Sequence, residues 1–503
     1  MTVLLKPGAT VRLAVTGLGS GGEGVGRASG IPVFVPYAAP GDEVLARLTS
    51  VHRSYARAAL VEVLSPSPDR TSPPCPVFYQ CGGCQLQHIA YPAQLAHKRQ
   101  RVIDTLGRIG GLGEVPVAAT VAAPEAWGYR NKAQFPVAAA AGEDRAGVGG
   151  GRAPAGVTIL TGHAGAASEL VAGCYASGTH DVIPVNACPI QNPLNNRVIQ
   201  AALAAASRHG VRAYDETTGC GVLRHVMTRV NSAADEALCV LVTSRPDLPA
   251  GPDLAADIRR RVPAVVGVCQ NINLGRTNVV LGPTTKTLAG RPFIRDRLCG
   301  LKFHVSALSF FQVNPRQAEA VYETALGYAA PLAGAPALDV YAGAGALALL
   351  AAARGAGPVV GVEVVADAVR DARANARRNG LAGARFLLGE ARDVLPALGR
   401  GGFRPAAVFL DPPRHGCEAG VVGAVAALAP PVVVYVSCNP ATLARDVREF
   451  AQWGFAVAEV TPLDMFPQTA HVECVALLTA RRAGGARPAV ENCKVPSEGS
   501  DRA

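Results

Sequence analysis

PVVVYVSCNPATLARD, from Pro431 to Asp446, is an apolar, β-branched run that stops at Ser437-Cys438 and breaks at Asn439-Pro440. Its length and composition predict a buried central strand, with the break at its carboxyl end. In open α/β sheets ligands bind beyond that end. Cys438 is then either a small buried hydrophobe or a thiol placed for chemistry, and the neighbouring sequence has to separate the two.

After about Gly300, strand-like and helix-like segments alternate in order: PALDVY, GALALLAAARG, PVVGVEV, a helix over Ala366 to Asn379, ARFLLG, PAAVFLD, another helix, and the run above. Such alternation predicts a mostly parallel sheet with helices on both faces. Earlier segments differ. From Ala9 to Leu64, short strand-like pieces separated by Gly- and Pro-rich turns predict a small all-β barrel. SPSPDRTSPP marks a boundary, and PAQLAHKRQRVIDTLGRIGG predicts a helix from Pro92 to about Ile109. The middle, from about Ala118 to Leu298, mixes strands and helices, and its Ala- and Gly-rich loop around Gly149 is too poor in large apolar groups to pack. The expected divisions are 1–66, 67–299, 300–482 and a disordered tail at 483–503.

With 503 residues the chain has room for two to four domains. Its 48 Lys plus Arg against 38 Asp plus Glu give a net charge of +10, which favours a polyanionic partner such as nucleic acid. The longest apolar stretch, VVGAVAALAPPVVVYV, is cut by Pro430-Pro431 and suits helix, turn and strand better than a membrane span. The first residues lack the apolar core of a signal peptide. These features place the protein in the cytoplasm, where thirteen cysteines point to metal binding or catalysis rather than a disulfide framework.

Three motifs carry chemistry. In Asp339-Val-Tyr-Ala-Gly-Ala-Gly345 a strand runs into a glycine turn, and Glu363 closes the next strand, where an acid can accept hydrogen bonds from ribose hydroxyls. The third glycine of a dinucleotide fingerprint is missing, so S-adenosylmethionine fits better than NAD; a tight turn without ligand is the alternative. Asp411-Pro-Pro-Arg414 sets a rigid carboxylate at the same rim, with Arg414 where base-amine methyltransferases carry a stacking aromatic. At that rim a Cys438 thiolate could add to C6 of a uracil and so make C5 nucleophilic toward a methyl donor. A base must then remove the C5 proton; Glu473 is one candidate and His471 its rival. Upstream, Cys75-x5-Cys81-Gly-Gly-Cys84 offers three metal-binding thiolates, for zinc or an iron-sulfur cluster. Cys188 is the best distant fourth ligand, ahead of Cys174 and Cys220.

Together these segments resemble the S-adenosylmethionine-dependent RNA (uracil-C5)-methyltransferases, above all their iron-sulfur 23S ribosomal RNA branch. The resemblance implies an N-terminal TRAM barrel of OB-like form, a mixed α+β central domain holding a [4Fe-4S] cluster on Cys75, Cys81, Cys84 and Cys188, and a C-terminal Rossmann-like class I methyltransferase domain. Cys188 comes from the match to GxYxxGTHxVxxxxxCPIQ. SFFQVNPRQAE and DVYAGAG imply cofactor contacts at Gln312 and Tyr341, with further ones at Glu363, Glu390 and Asp411. YVSCNPATLARD and FPQTAHVE imply the nucleophile Cys438 and the base Glu473. Ala342 and Ala346 depart from the family turn, which implies backbone groups in place of a side-chain contact. The expected protein is a monomer that makes 5-methyluridine in structured RNA, most simply 23S ribosomal RNA. The alternatives are a transfer-RNA enzyme of the same chemistry and a non-catalytic RNA-binding assembly factor.

Overall fold

The computed structural model describes residues 5–140 and 170–481. Most of the Ala- and Gly-rich loop, and the tail expected at 483–503, lie outside the described residues. Strands β1 (Thr10–Ala14), β2 (Gly17–Leu18), β3 (Gly24–Ala28), β4 (Ile31–Val35), β5 (Glu43–Val51) and β6 (Ala56–Ser65) form a six-stranded sheet in the order β1-β5-β6-β4-β3-β2. Leu13, Val33, Val35, Val44, Ala46 and Leu48 meet on its inner face. The Thr16 N–H donates to Val25 O (2.8 Å), so the sheet curls until β3 lies against the end of β1. A Cβ on Gly26 would stand 2.7 Å from Ala14 O, which makes glycine a condition of that approach.

Helix α1 (Tyr91–Arg108) starts with a proline in its first turn and buries Gln94, Lys98, Val102 and Leu106, one residue per turn along a single stripe. A seven-stranded sheet follows, built from β7 (Lys132–Ala139), β8 (Leu170–Tyr175), β9 (Val182–Pro184), β10 (Leu223–Val230), β11 (Ala237–Thr243), β12 (Val265–Ile272) and β13 (Thr284–Gly290). Its order is β13-β12-β11-β10-β7-β8-β9, and α2 (Pro193–Arg208) and α3 (Gly251–Arg261) pack against it over one shared core. A hairpin, β14 (Phe293–Leu298) and β15 (Leu301–Ser306), leads into α4 (Pro315–Ala329).

The C-terminal part is the alternating α/β layer structure: β16 (Ala337–Val340), α5 (Ala346–Ala353), β17 (Val359–Glu363), α6 (Ala366–Arg378), β18 (Ala384–Leu388), α7 (Ala391–Arg400), β19 (Ala407–Leu410), α8 (Val421–Ala427), β20 (Val432–Ser437), α9 (Pro440–Gln452), β21 (Phe455–Leu463) and β22 (Glu473–Ala480). The sheet order is β18-β17-β16-β19-β20-β22-β21. All neighbours from β18 to β20 are parallel, whereas β22 runs antiparallel to both β20 and β21. Val434 and Val436 of β20 join the core beneath α4, α5 and α6, while Val433 and Tyr435 join the core beneath α1, α7, α8 and α9. Burial on both faces is why this strand reads as an unbroken apolar run. Among the described residues no helix is long and apolar enough to cross a membrane.

Candidate active site

Six segments arrive at one edge of this last sheet. The parallel strands end there, and β22 begins there because it runs the other way. Ser437 of β20 pairs with Cys474 of β22, so one step further along the ladder Cys438 comes opposite Glu473. Asn439-Pro440 ends the strand by starting a helix: the Asn439 side chain accepts from Ala441 N (3.1 Å) as the N-cap of α9, and Pro440 fills the first turn. The same asparagine donates from Nδ2 to Arg414 O (3.1 Å), and Thr442 Oγ1 also reaches that carbonyl (3.4 Å). The Pro412–Arg414 turn is thereby tied to the residue after Cys438.

Electrostatics at this edge follow from burial and like charge. Burial pushes the half-buried Cys438 thiol up to about 11, Glu473 and Asp411 push the same way, and Arg414 opposes them. Glu473 is held well above the usual carboxylate range by burial and by Asp411, again opposed by Arg414. Burial lifts Asp411 to about 7. His471 is driven down to about 4 by burial and by the cations Arg414, Arg101, Lys98 and Arg130, so it is a neutral and weakly basic imidazole.

The glycine turn follows β16. Tyr341 (φ 69°), Gly343 (φ 54°) and Gly345 (φ 87°) all have left-handed backbones, and a Cβ on Gly345 would come within 2.8 Å of the Phe386 ring. Glu363 braces the turn, accepting from Gly343 N (2.9 Å) and Val365 N (2.8 Å). The Tyr341 hydroxyl accepts from Glu418 N (3.3 Å), joining the turn to the loop that follows Asp411. Asp339 is buried and accepts from Ala348 N (2.9 Å); burial, Asp411 and Glu363 together raise it to about 8. Glu390 stands at the N-cap of α7, just beyond β18, and Gln312 precedes α4 with its side chain hydrogen-bonded to Tyr322.

Comparison with known proteins agrees with this geometry. Residues 5–61 match the TRAM domain model and residues 293–481 match the tRNA (Uracil-5-)-methyltransferase model. An uncharacterized RNA methyltransferase of Halalkalibacterium halodurans is 40% identical over 468 residues, covering 93% of this chain and 96% of its own. The chain belongs to the RNA (uracil-C5)-methyltransferase family. A Listeria innocua RNA methyltransferase, also uncharacterized, is 38% identical over 95% of this chain and 99% of its own. The crystal structure of the Pyrococcus abyssi tRNA (uracil-54, C5)-methyltransferase with S-adenosyl-L-homocysteine superposes with a TM-score of 0.71 at 26% identity, covering 93% of this chain and all of that one. This protein is therefore an S-adenosylmethionine-dependent RNA (uracil-5-)-methyltransferase with an N-terminal TRAM domain.

The upstream cysteines of the methyltransferase, Cys75, Cys81 and Cys84, precede Gln85, which is hydrogen-bonded to Gln468 and Ala470 of the segment before Glu473. Cys75 and Cys84 are buried, Cys81 and Cys188 partly so; Cys84 feels the charge of Cys188, Cys81 and Cys75, Cys188 that of Cys75 and Cys81, and Cys75 that of Cys81. Cys174 lies among them: its thiol donates to Cys81 and holds that pKa down at about 7, while Cys174 itself is pushed up. Among the described residues no three metal-binding side chains converge on the point a single ion would occupy. Cys220 is exposed on another loop.

Several groups at the Cys438 edge are not evident in the sequence. Arg414 stands out there only as a missing aromatic, yet its charge acts on Cys438, Glu473 and His471 together. Asn439-Pro440 carries a helix-start signature that could have revealed the anchor on Arg414. Tyr322, buried on α4 and facing Asp411, Asp339 and Glu473, has no local sequence mark at all.

Proposed function

We propose that this enzyme converts a specific uridine of 23S ribosomal RNA to 5-methyluridine through a covalent adduct on Cys438. The observation that carries the reading is the register that sets Cys438 opposite Glu473, with Asp411 and Arg414 beside them. Cys438 Sγ adds to C6 of a base swung out of its stack, and electron density moves to C5. S-adenosylmethionine supplies the methyl group that C5 takes up. Glu473 then removes the C5 proton, the C5–C6 double bond re-forms, and the thiolate leaves. Cys438 and Glu473 repel each other when both are ionised, so they titrate as a pair; Arg414 favours the ionised forms. Gln312, Tyr341, Glu363, Glu390 and Asp411 would line the cofactor and base pockets.

Cys75, Cys81, Cys84 and Cys188 would hold a [4Fe-4S] cluster with a structural or RNA-binding role. Support comes from their mutual proximity and from the chemistry of the donor set, since a cubane spreads its four thiolates over four irons where zinc gathers them on one. The cysteine set and the TRAM barrel favour ribosomal RNA. The transfer-RNA reading is favoured in turn by the Pyrococcus abyssi structure, which acts on tRNA uracil-54.

Cys438→Ala is expected to bind cofactor and RNA yet make no 5-methyluridine by nucleoside mass spectrometry. Wild-type enzyme with 5-fluorouridine-substituted transcript and methyl donor should give a denaturant-resistant protein–RNA adduct; its absence would refute the covalent step. Mapping 5-methyluridine in a strain lacking the protein decides the substrate: loss from 23S ribosomal RNA supports the reading, and loss from transfer RNA alone overturns it. For the metal site, iron and acid-labile sulfide in anaerobically purified protein are expected, and stoichiometric zinc would reverse the assignment.

A further inference from the structure

Five thiols lie near one another where the reading above places a cluster that uses four. The fifth, Cys174, projects from β8 where that strand meets the Cys81 loop: Gly82 N donates to Tyr175 O (3.0 Å), and Cys81 pairs with Ala176 in an isolated antiparallel bridge. A Cβ placed on Gly83 would lie 3.4 Å from Cys81 Sγ and 3.5 Å from Cys174 Sγ, so both sulfurs flank the same glycine. Cys174 is hydrogen-bonded to Cys81 and also feels Cys84 and Cys188. In GxYxxGTHxVxxxxxCPIQ it fills an unspecified position, so the segment's own pattern does not require a thiol there.

A thiol beside a bound thiolate can exchange with it. One iron–sulfur bond breaks as another forms, the incoming thiol gives its proton to solvent, the departing thiolate takes one up, and no electron changes hands. We infer that Cys174 is a reserve ligand of the cluster, able to take the iron otherwise held by Cys81. The inference rests on the cluster reading proposed for the four cysteines.

The test uses full-length protein reconstituted anaerobically with ferrous iron and sulfide, in wild type and in the Cys174→Ala, Cys81→Ala, Cys75→Ala and doubly substituted C81A/C174A forms. Two quantities are read: iron and sulfide per chain, and the cysteines shielded from iodoacetamide, identified by peptide mass spectrometry. Wild type is expected to load fully with Cys174 open to alkylation, and Cys174→Ala to load equally. Cys81→Ala should keep most of its iron with Cys174 now shielded, whereas the double variant and Cys75→Ala should lose it. Cys81→Ser replaces the alanine variant if that chain does not fold, with circular dichroism and S-adenosylhomocysteine binding as the check. A Cys81→Ala protein as empty as the double variant overturns the inference, as does loss of iron from Cys174→Ala alone. Wild type that takes up no iron and sulfide sinks the cluster reading itself, and the reserve ligand with it.

Discussion

At Cys438 one cation opposes two acids. Arg414 is the favourable charge acting on a thiol that burial, Glu473 and Asp411 hold at about 11. Neutralising it removes the charge that favours the thiolate there, so the ionisation on which the proposed attack depends moves to higher pH. Arg414→Gln is expected to move the rising limb of the kcat/KM–pH profile upward, and for every pH unit the limb moves the rate at fixed pH falls about tenfold. A limb that stays in place would show that the guanidinium does not set this ionisation. Cys438 was legible because its strand ends in a break that local chemistry explains. That Glu473 begins a strand beside the same rim was legible too; that it stands directly opposite Cys438 was not, because the pairing depends on β22 running against its neighbours, and nothing between Glu473 and Ala480 marks direction.

Among the elements, the loop between β19 and α8 is held from beneath by α9. Asp446 Oδ2 accepts from Cys417 N (2.8 Å) and from the Tyr435 hydroxyl (2.5 Å), and Oδ1 pairs with Arg445. Asp446→Ala leaves the Cys417 amide and the Tyr435 hydroxyl without their acceptor, at about 1–3 kcal/mol for each buried group. The thermal midpoint should fall by roughly 5–10 °C, and kcat/KM should fall with it, since the loop also carries Arg414 and the Glu418 amide that holds Tyr341. A second expectation concerns β16 and α5. Asp339 is raised to about 8 in the folded chain and returns to the ordinary carboxylate range on unfolding. Its contribution is therefore full below about pH 4, is lost as pH rises toward about 8, and is constant above that. Asp339→Asn keeps an acceptor for Ala348 N and removes this slope, so the variant's thermal midpoint should gain on wild type between pH 5 and pH 8. A difference independent of pH would contradict the raised pKa. Alternating strands and helices were readable from period and punctuation alone. The order β18-β17-β16-β19-β20-β22-β21 was not, because it is set by which faces the helices cover.

On the scale of the molecule, the segment before Glu473 is fixed by parts of the chain hundreds of residues away. Gln85 N and Leu86 N both donate to Gln468 O (3.0 Å each), the Gln94 side chain donates to Gln468 Oε1 (3.0 Å) and accepts from its amide (3.2 Å), and the Tyr129 hydroxyl donates to Pro467 O (3.0 Å). Asn314 Nδ2 reaches Met465 O (3.2 Å). At the centre lies the ion pair Lys98–Asp464 (2.5 Å), with side chains 3% and 0% exposed, and Lys98 Nζ also donates to Phe466 O (3.2 Å). The polar residues on the buried stripe of α1 are thus explained by a loop remote in sequence, which no local pattern could reveal. Lys98→Ala strands a buried carboxylate and should cost about 3–5 kcal/mol, because the partner left behind is charged and dry. Exchanging both partners, in K98M/D464L, removes that uncompensated charge, and most of the lost thermal stability should return. Activity should not return with it. The bond from Lys98 to Phe466 O is still missing, so the strand that presents Glu473 is less firmly set and kcat/KM remains below wild type. A Lys98→Ala protein with a wild-type melting temperature, or a double variant restored in both stability and rate, would show that the pair neither holds this segment nor places Glu473, the proposed base.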